Sequence, residues 1–355
     1  MTTNRKKKSK PKKYGVGTYL LIIGAFLFVS FSYYAYQIVY TANVDTKGDR
    51  AYIRIPEGAS FEQVMDSIES EDVIIDKLSF RFMAKLMDYP KLVKPGHYEL
   101  KNGATNYQLI GDLRAGRQSP VKLTFTNIRV KKDLTTKLSQ DLSATQVELD
   151  SLMGDPAYVK ELGFDTTTIM TMFIPNTYEL YWNTSATELM KRMKKEYDAF
   201  WTDQRVRKAQ ALGLTKAEVS TLASIVQAEQ SQKADERPRI AGVYLNRLRI
   251  NKALQADPTV VYAVGDFGIR RVLNVHLQTD SPYNTYKYKG LPPGPINLPS
   301  INSIDAVLNP EEHNYIFFCA KEDFSGYHSF ARTEAEHIQN ARRYQAALNA
   351  RKILK

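Results

Sequence analysis

The residues best suited to chemistry lie in Ala223-Ser-Ile-Val-Gln-Ala-Glu229, where an apolar set at helical spacing, Leu222, Ile225 and Val226, runs on to a carboxylate. Residues three and four apart share a helix face, so Glu229 falls on the apolar stripe. Burial disfavours an ionised carboxyl and raises its pKa; a carboxyl that keeps its proton near neutral pH can give it to a leaving oxygen. The alternative is an amphipathic helix whose stripe ends at Val226, with Glu229 reaching water or pairing with an arginine. Periodicity alone leaves both readings open.

The elements that must hold this carboxylate are marked by their start signals. Thr215-x-x-Glu218 is a capping box ahead of Val219, Leu222, Ile225 and Val226. A second helix begins at Pro238 and carries Ile240, Val243, Tyr244 and Leu248. Asp257-Pro-Thr reads as a third start, with Asp257 as N-cap and Pro258 at the first helical position, capping being favoured over direct chemistry for Asp257. The stretch from Asp280 to Pro299 holds five prolines, a stiff and shaped loop in which Gly290 and Gly294 supply unusual backbone angles. Ordered loops of this length more often build sites than merely connect elements.

Other chemistries lack their spacing. The five histidines, His97, His276, His313, His328 and His337, fall in no metal-binding pattern, and there is no Gly-x-Ser-x-Gly elbow. The reading therefore calls for no metal and no cofactor. The lone Cys319, in the apolar run Tyr315-Ile-Phe-Phe-Cys-Ala320, reads as a core residue of a buried strand.

At 355 residues and 43% hydrophobic, the chain is long enough for two or three domains with real cores. Its net charge of +11 is local: seven basic residues sit between Arg5 and Lys13, which leaves about +4 for the rest and argues against a nucleic-acid partner. No charged residue occurs from Tyr14 to Val44, and the apolar core of that span meets the roughly 20 residues a bilayer requires. We read residues 14–43 as an uncleaved transmembrane helix behind a basic cytoplasmic tail, 1–13. The positive-inside rule then places everything after about Val44 outside the cytoplasm, with Tyr33, Tyr34, Tyr36 and Tyr40 as an aromatic belt.

Beyond the anchor, Ala51–Ile55 alternates like a strand. Ser60 caps a helix, a second helix covers about Lys77 to Met87, and Gly96–Leu100 reads as a strand, giving a β-α-α-β order. Gly58-Ala-Ser with Val64, Met65 and Ile68 recurs 45 residues later as Gly103-Ala-Thr with Leu109, Ile110 and Leu113. Shared helix-start chemistry explains this echo as well as duplication does.

Four blocks in order, Glu236-Arg-Pro-Arg-Ile-Ala-Gly-Val-Tyr-Leu-Asn-Arg247, Leu254-Gln-Ala-Asp-Pro-Thr259, Tyr283-Asn-Thr-Tyr286 and Gly290-Leu-Pro-Pro-Gly-Pro295, make the chain resemble the MltG (YceG-like) family of endolytic murein transglycosylases. The resemblance implies an α+β architecture: a LysM-like module over 44–120 and a YceG-like catalytic domain over 121–355. Where the family often reads Ile-Val-Glu-x-Glu, this chain has Gln227 and then Glu229, so the match carries the catalytic role onto Glu229. It implies cleavage of peptidoglycan strands in which Glu229 first protonates the glycosidic oxygen and then takes the proton of the muramoyl 6-hydroxyl, closing a 1,6-anhydro ring. Gln255, Asn284, Thr285 and Tyr286 become candidates for holding the substrate's N-acetyl and hydroxyl groups, Asp257 a candidate substrate contact, and Tyr178, in Phe173-Ile-Pro-Asn-Thr-Tyr178, a candidate cleft aromatic. Arg237, Arg239 and Arg247 are candidates for the substrate's lactyl-peptide carboxylates, or else solvated helix faces. The partners implied are glycan strands, one membrane and a peptidoglycan synthase. Two rivals stand beside this reading: a hydrolytic muramidase using Asp235, Glu236 or Asp257 as second carboxylate, and a non-catalytic glycan-binding scaffold.

Overall fold

A computed structural model describes residues 15–351, so the basic run from Arg5 to Lys13 lies outside the described residues. The chain divides into two compact units, Met1–Pro120 with Tyr181–Asn183, and Val121–Leu180 with Thr184–Lys355.

The first unit begins with helix α1, Val16–Tyr40, 25 residues without a charge whose apolar span is not buried by protein. At 1.5 Å per residue it is about 37 Å long, enough for a hydrocarbon core of about 30 Å. Strand β1 (Ala51–Ile55), helices α2 (Phe61–Ser70) and α3 (Lys77–Leu86), strand β2 (Gly96–Leu100) and helix α4 (Asn106–Ala115) follow. β1 and β2 pair antiparallel, Ala51 opposite Leu100. The alternation seen in the sequence turns Ile53, Ile55, Tyr98 and Leu100 inward onto Met65, Ile68, Phe80 and Ile110. The 45-residue echo is one local device used twice: a strand, a left-handed turn at Gly58 or Gly103 (φ +71° and +76°), then a capping box, Ser60 with Gln63 or Thr105 with Gln108.

The second unit is mostly helical. Strand β3 (Val121–Phe125) pairs antiparallel with β4 (Asn176–Leu180) around helices α5 (Lys131–Asp141), α6 (Gln146–Gly154) and α7 (Pro156–Glu161). Helices α8 (Ala186–Phe200), α9 (Asp203–Ala211), α10 (Lys216–Glu229), α11 (Arg237–Arg249), α12 (Asp257–Val264), α13 (Asn274–Leu277) and α14 (Ile301–Leu308) lead to the hairpin of β5 (Phe317–Ala320) and β6 (His328–Ala331), and α15 (Glu334–Ala350) closes the unit. This is the mixed helix and strand architecture expected.

α10 is the central element. Thr215 and Glu218 form the anticipated capping box, but the single apolar stripe understates the packing: all eight residues from Val219 to Val226 are buried. The small Ser220, Ala223 and Ser224 fill the faces the stripe leaves, so α11, α14 and the 296–300 segment can approach from several sides. Burying Leu222, Ile225 and Val226 contributes roughly 1.5–3 kcal/mol each. The proline-rich loop is fastened to this helix by polar groups. Ser224 Oγ accepts from the Ile296 N–H (3.0 Å), the Asn297 amide donates to the Ser224 carbonyl (2.9 Å), and Gln227 Oε1 accepts from the Ser300 N–H (2.7 Å) and the Ser303 hydroxyl (2.9 Å). Gly290 has the expected positive φ of +86°. Gly294 does not; it is needed because any Cβ would strike the Thr167 carbonyl.

Candidate active site

Glu229 is the last residue of α10. Its neighbours three and four back, Val226 and Ile225, are completely buried, yet Glu229 itself is only half-buried. It opens onto a cleft of about 970 Å³ on one side and a smaller cavity of about 250 Å³ on the other. Burial of the carboxyl pushes its pKa up to about 7, and the charge of Asp257 pushes the same way. The hydrogen bond from the Tyr244 hydroxyl to Oε1 (2.9 Å), with His328 and Arg247 nearby, opposes the rise without cancelling it. The C-terminal end of a helix also disfavours a negative charge. Tyr244 comes from α11, four residues after Ile240 on the buried face, and its hydroxyl is held protonated by burial and by Glu229. Nothing in its sequence context separates this tyrosine from its apolar neighbours.

Asp257 is not the N-cap. Ala256 occupies that position without a side-chain cap, Asp257 is the first helical residue and Pro258 the second. The freed carboxylate instead accepts from the Tyr286 hydroxyl at 2.6 Å, and both residues line the smaller cavity with Glu229. Gln255 lines it too, exposed and in the left-handed region at φ +51°. Such a conformation costs on the order of 1–3 kcal/mol outside glycine and persists only where neighbours enforce it. Here the Arg247 guanidinium holds the Leu254 carbonyl (2.5 Å), the Gln255 N–H donates to the Thr285 carbonyl (3.1 Å), and the Ala256 N–H donates to Thr285 Oγ1 (3.0 Å).

Thr285 and Asn284 are therefore builders of the loop. Thr285 is buried with its hydroxyl against that of Thr259 (2.8 Å). Asn284, also buried, donates to the Leu277 and Thr279 carbonyls (2.9 and 2.8 Å) and accepts from the Tyr286 N–H (3.1 Å). Tyr178 lies in the core: its ring is 6% exposed and stacked on Phe125, and its hydroxyl donates to the Ile174 carbonyl at 2.6 Å. A ring so placed offers no face to a sugar. The three arginines singled out in the sequence are likewise occupied. Arg237 donates to the Gln230 and Ser231 carbonyls (2.9 and 3.2 Å), Arg239 to Glu311 (2.9 Å), and Arg247 to the Ile316 carbonyl (2.6 Å) as well as to Leu254.

His328 faces the smaller cavity and is also held structurally. The buried Glu236 accepts from its ring Nδ1 (2.7 Å), from its backbone N–H (2.8 Å) and from the Gln230 amide (2.6 Å). Burial pushes the Glu236 carboxyl up, but these hydrogen bonds outweigh it and hold the pKa below the usual range. Because Gln230 directly follows Glu229, this network fixes the end of α10. Asp235 accepts from the Tyr327 hydroxyl (2.9 Å). Of the three possible second carboxylates, only Asp257 shares a cavity with Glu229. Cys319 lies on the expected strand but is half-exposed at that cavity, because β5 is an outer strand of a two-stranded hairpin. A separate groove of about 780 Å³ in the first unit has Lys101 and Arg117 paired with Asp112 and holds no comparable buried acid.

Comparison with known proteins gives this arrangement relatives. The chain is 29% identical over 347 residues to the endolytic murein transglycosylase of Bacillus subtilis (strain 168), covering 93% of this chain and 92% of that protein. It is 25% identical to the endolytic murein transglycosylase of Streptococcus pneumoniae serotype 2 (strain D39 / NCTC 7466), covering 87% of this chain and 61% of that longer protein. A crystal structure of a YceG-like protein from Listeria monocytogenes superposes with a TM-score of 0.55 at 27% identity, over 82% of this chain and 98% of that one. The YceG-like family matches residues 53–343, a span that contains every residue lining the two cavities at Glu229. By that match the chain belongs to the YceG-like family.

Proposed function

We propose that this chain is a membrane-anchored endolytic lytic transglycosylase, a lyase that cuts peptidoglycan within the glycan strand, with Glu229 as its general acid and base. The names of its relatives support the peptidoglycan transglycosylase activity. The observation that carries the role of Glu229 is a carboxyl held near pKa 7, positioned by Tyr244 and open to a cleft large enough for sugar rings. In its neutral form Glu229 protonates the bridging oxygen between N-acetylmuramic acid and N-acetylglucosamine as that bond breaks. As carboxylate it then takes the proton of the muramoyl 6-hydroxyl while that oxygen attacks the anomeric carbon. Glu229 ends as it began, no water is consumed, and the internal nucleophile gains from proximity. Asp257, steadied by Tyr286, faces the positive charge that develops on the ring. Gln255 is assigned to substrate hydrogen bonding, and Asn284 and Thr285 to holding the loop.

The rest of the assignment follows from the same reading: α1 anchors the chain in the cytoplasmic membrane with the tail inside, residues 44–120 form a LysM-like glycan-binding module, and 121–355 form the catalytic domain, placed to work beside a peptidoglycan synthase. Protease added to cells stripped of their wall is expected to digest everything beyond about Val44. Protection of the full chain would overturn the orientation.

Product analysis tests the chemistry. Glycan fragments are expected to end in 1,6-anhydro-muramic acid, one water lighter than hydrolysis products by mass spectrometry. Reducing ends would instead favour a muramidase in which Asp257, the carboxylate that shares the cavity and raises the pKa of Glu229, activates water.

A further inference from the structure

The cleft beside Glu229 has cations that, among the described residues, meet neither a carboxylate nor a carbonyl. Arg129, on the loop after β3, and Arg270 and Arg271, on the loop after α12, are exposed and line the larger cavity. Among the described residues none of the three has a carboxylate partner, unlike Arg239, or carbonyl partners, unlike Arg237 and Arg247. The two loops meet where the Arg129 guanidinium lies 5.0 Å over the Phe267 ring. The only acids in the lining are Glu229, which keeps its proton up to about neutral pH, and Asp257, which already accepts from Tyr286. A wall with three guanidiniums that lack a carboxylate partner among the described residues, and with so little opposing charge, attracts anions, and a guanidinium matches a carboxylate in two parallel hydrogen bonds.

We infer that Arg129, Arg270 and Arg271 form a subsite for the free carboxylates of the peptide stem, so that the preferred substrate is a glycan strand whose muramoyl residues still carry their stems. This rests on the proposed glycan cleavage, because Glu229 and the three arginines line one cleft and the stem leaves the muramoyl ring on which Glu229 would act. A strand stripped of its stems keeps only the lactyl carboxylate beside each muramoyl ring, whereas an intact stem carries its carboxylates farther out, where the arginines of the cleft wall can meet them.

The test uses the full chain in detergent and strands freed of phosphodiester-linked polymers, one half treated with an amidase to remove the stems. Wild type is expected to favour stem-bearing strands in kcat/KM by about tenfold, the size of a few partly exposed charge-assisted contacts. In Arg270→Gln/Arg271→Gln that preference should fall to within about twofold, through KM and not kcat, and rising salt should erode it in wild type. Equal kcat/KM on both strands, or a preference that survives the double substitution, overturns the subsite. Fluorescence anisotropy with the folded Glu229→Gln chain gives a readout independent of catalysis. Tighter binding of stem-bearing strands supports the subsite even if wild type cleaves nothing, in which case the lyase assignment fails alone. Cleavage with equal binding of both strands does the reverse.

Discussion

Glu229→Gln is expected to remove glycan cleavage while leaving the protein folded. The substitution preserves volume and an oxygen that can accept from Tyr244, so the end of α10 and the packing of Val226 are undisturbed. It removes the transferable proton. General acid–base catalysis contributes about a hundred- to ten-thousand-fold, and here one group serves both proton transfers, so turnover should fall by at least about a thousandfold. Stability should move the other way. A folded-state pKa raised from 4.5 to about 7 means the ionised carboxyl destabilises the fold. The stability tied to its proton is fully present below the unfolded value and is lost as pH rises through about 7. The neutral amide escapes that loss, so at pH 8 the variant should be more stable than wild type, by at most about 3 kcal/mol. Chemical denaturation beside a muropeptide assay reads both. Full cleavage by a folded Glu229→Gln chain would take Glu229 out of the mechanism, and binding without cleavage by wild type would favour the scaffold reading.

The pH profile should carry a descending limb near 7, where an ordinary glutamate would give one near 4.5. The sign follows from burial: the charged form is disfavoured, the proton is retained to higher pH, and the protonated form starts the reaction. Above the limb kcat/KM falls about tenfold per pH unit, so at pH 9 it should lie roughly a hundredfold below its plateau. Tyr244→Phe deletes the hydrogen bond that favours the carboxylate and should move the limb to higher pH. A limb that stayed in place would show that Tyr244 does not set the acidity of Glu229.

Local signals fixed what is local. Three capping residues, Ser60, Thr105 and Thr215, start helices where their side chains predict, because an N-cap satisfies backbone N–H groups within three residues of itself. The uncharged run gave α1, since a 25-residue apolar stretch needs no distant partner to be recognised. The Leu222, Ile225, Val226 spacing pointed to Glu229 because helix periodicity alone sets which residues share a face.

The rest was decided by contacts between segments far apart in sequence. A lone Tyr244 on an apolar face carries no mark that its hydroxyl will meet a carboxylate from another helix. Asp257 followed by proline reads as a cap, and only the arrival of Tyr286 from a distant loop gives its carboxylate a different partner. Asn284 and Thr285 look like neutral ligands in the sequence, yet the loop must satisfy its own buried polar groups first, and they are what it uses. The same competition sorted the arginines: those on α11 met carbonyls and a carboxylate, while Arg129, Arg270 and Arg271, on loops at the cleft edge, met neither among the described residues. Sequence order determines which groups are available, but burial and the demand that every buried polar atom find a partner determine which are left over for a substrate.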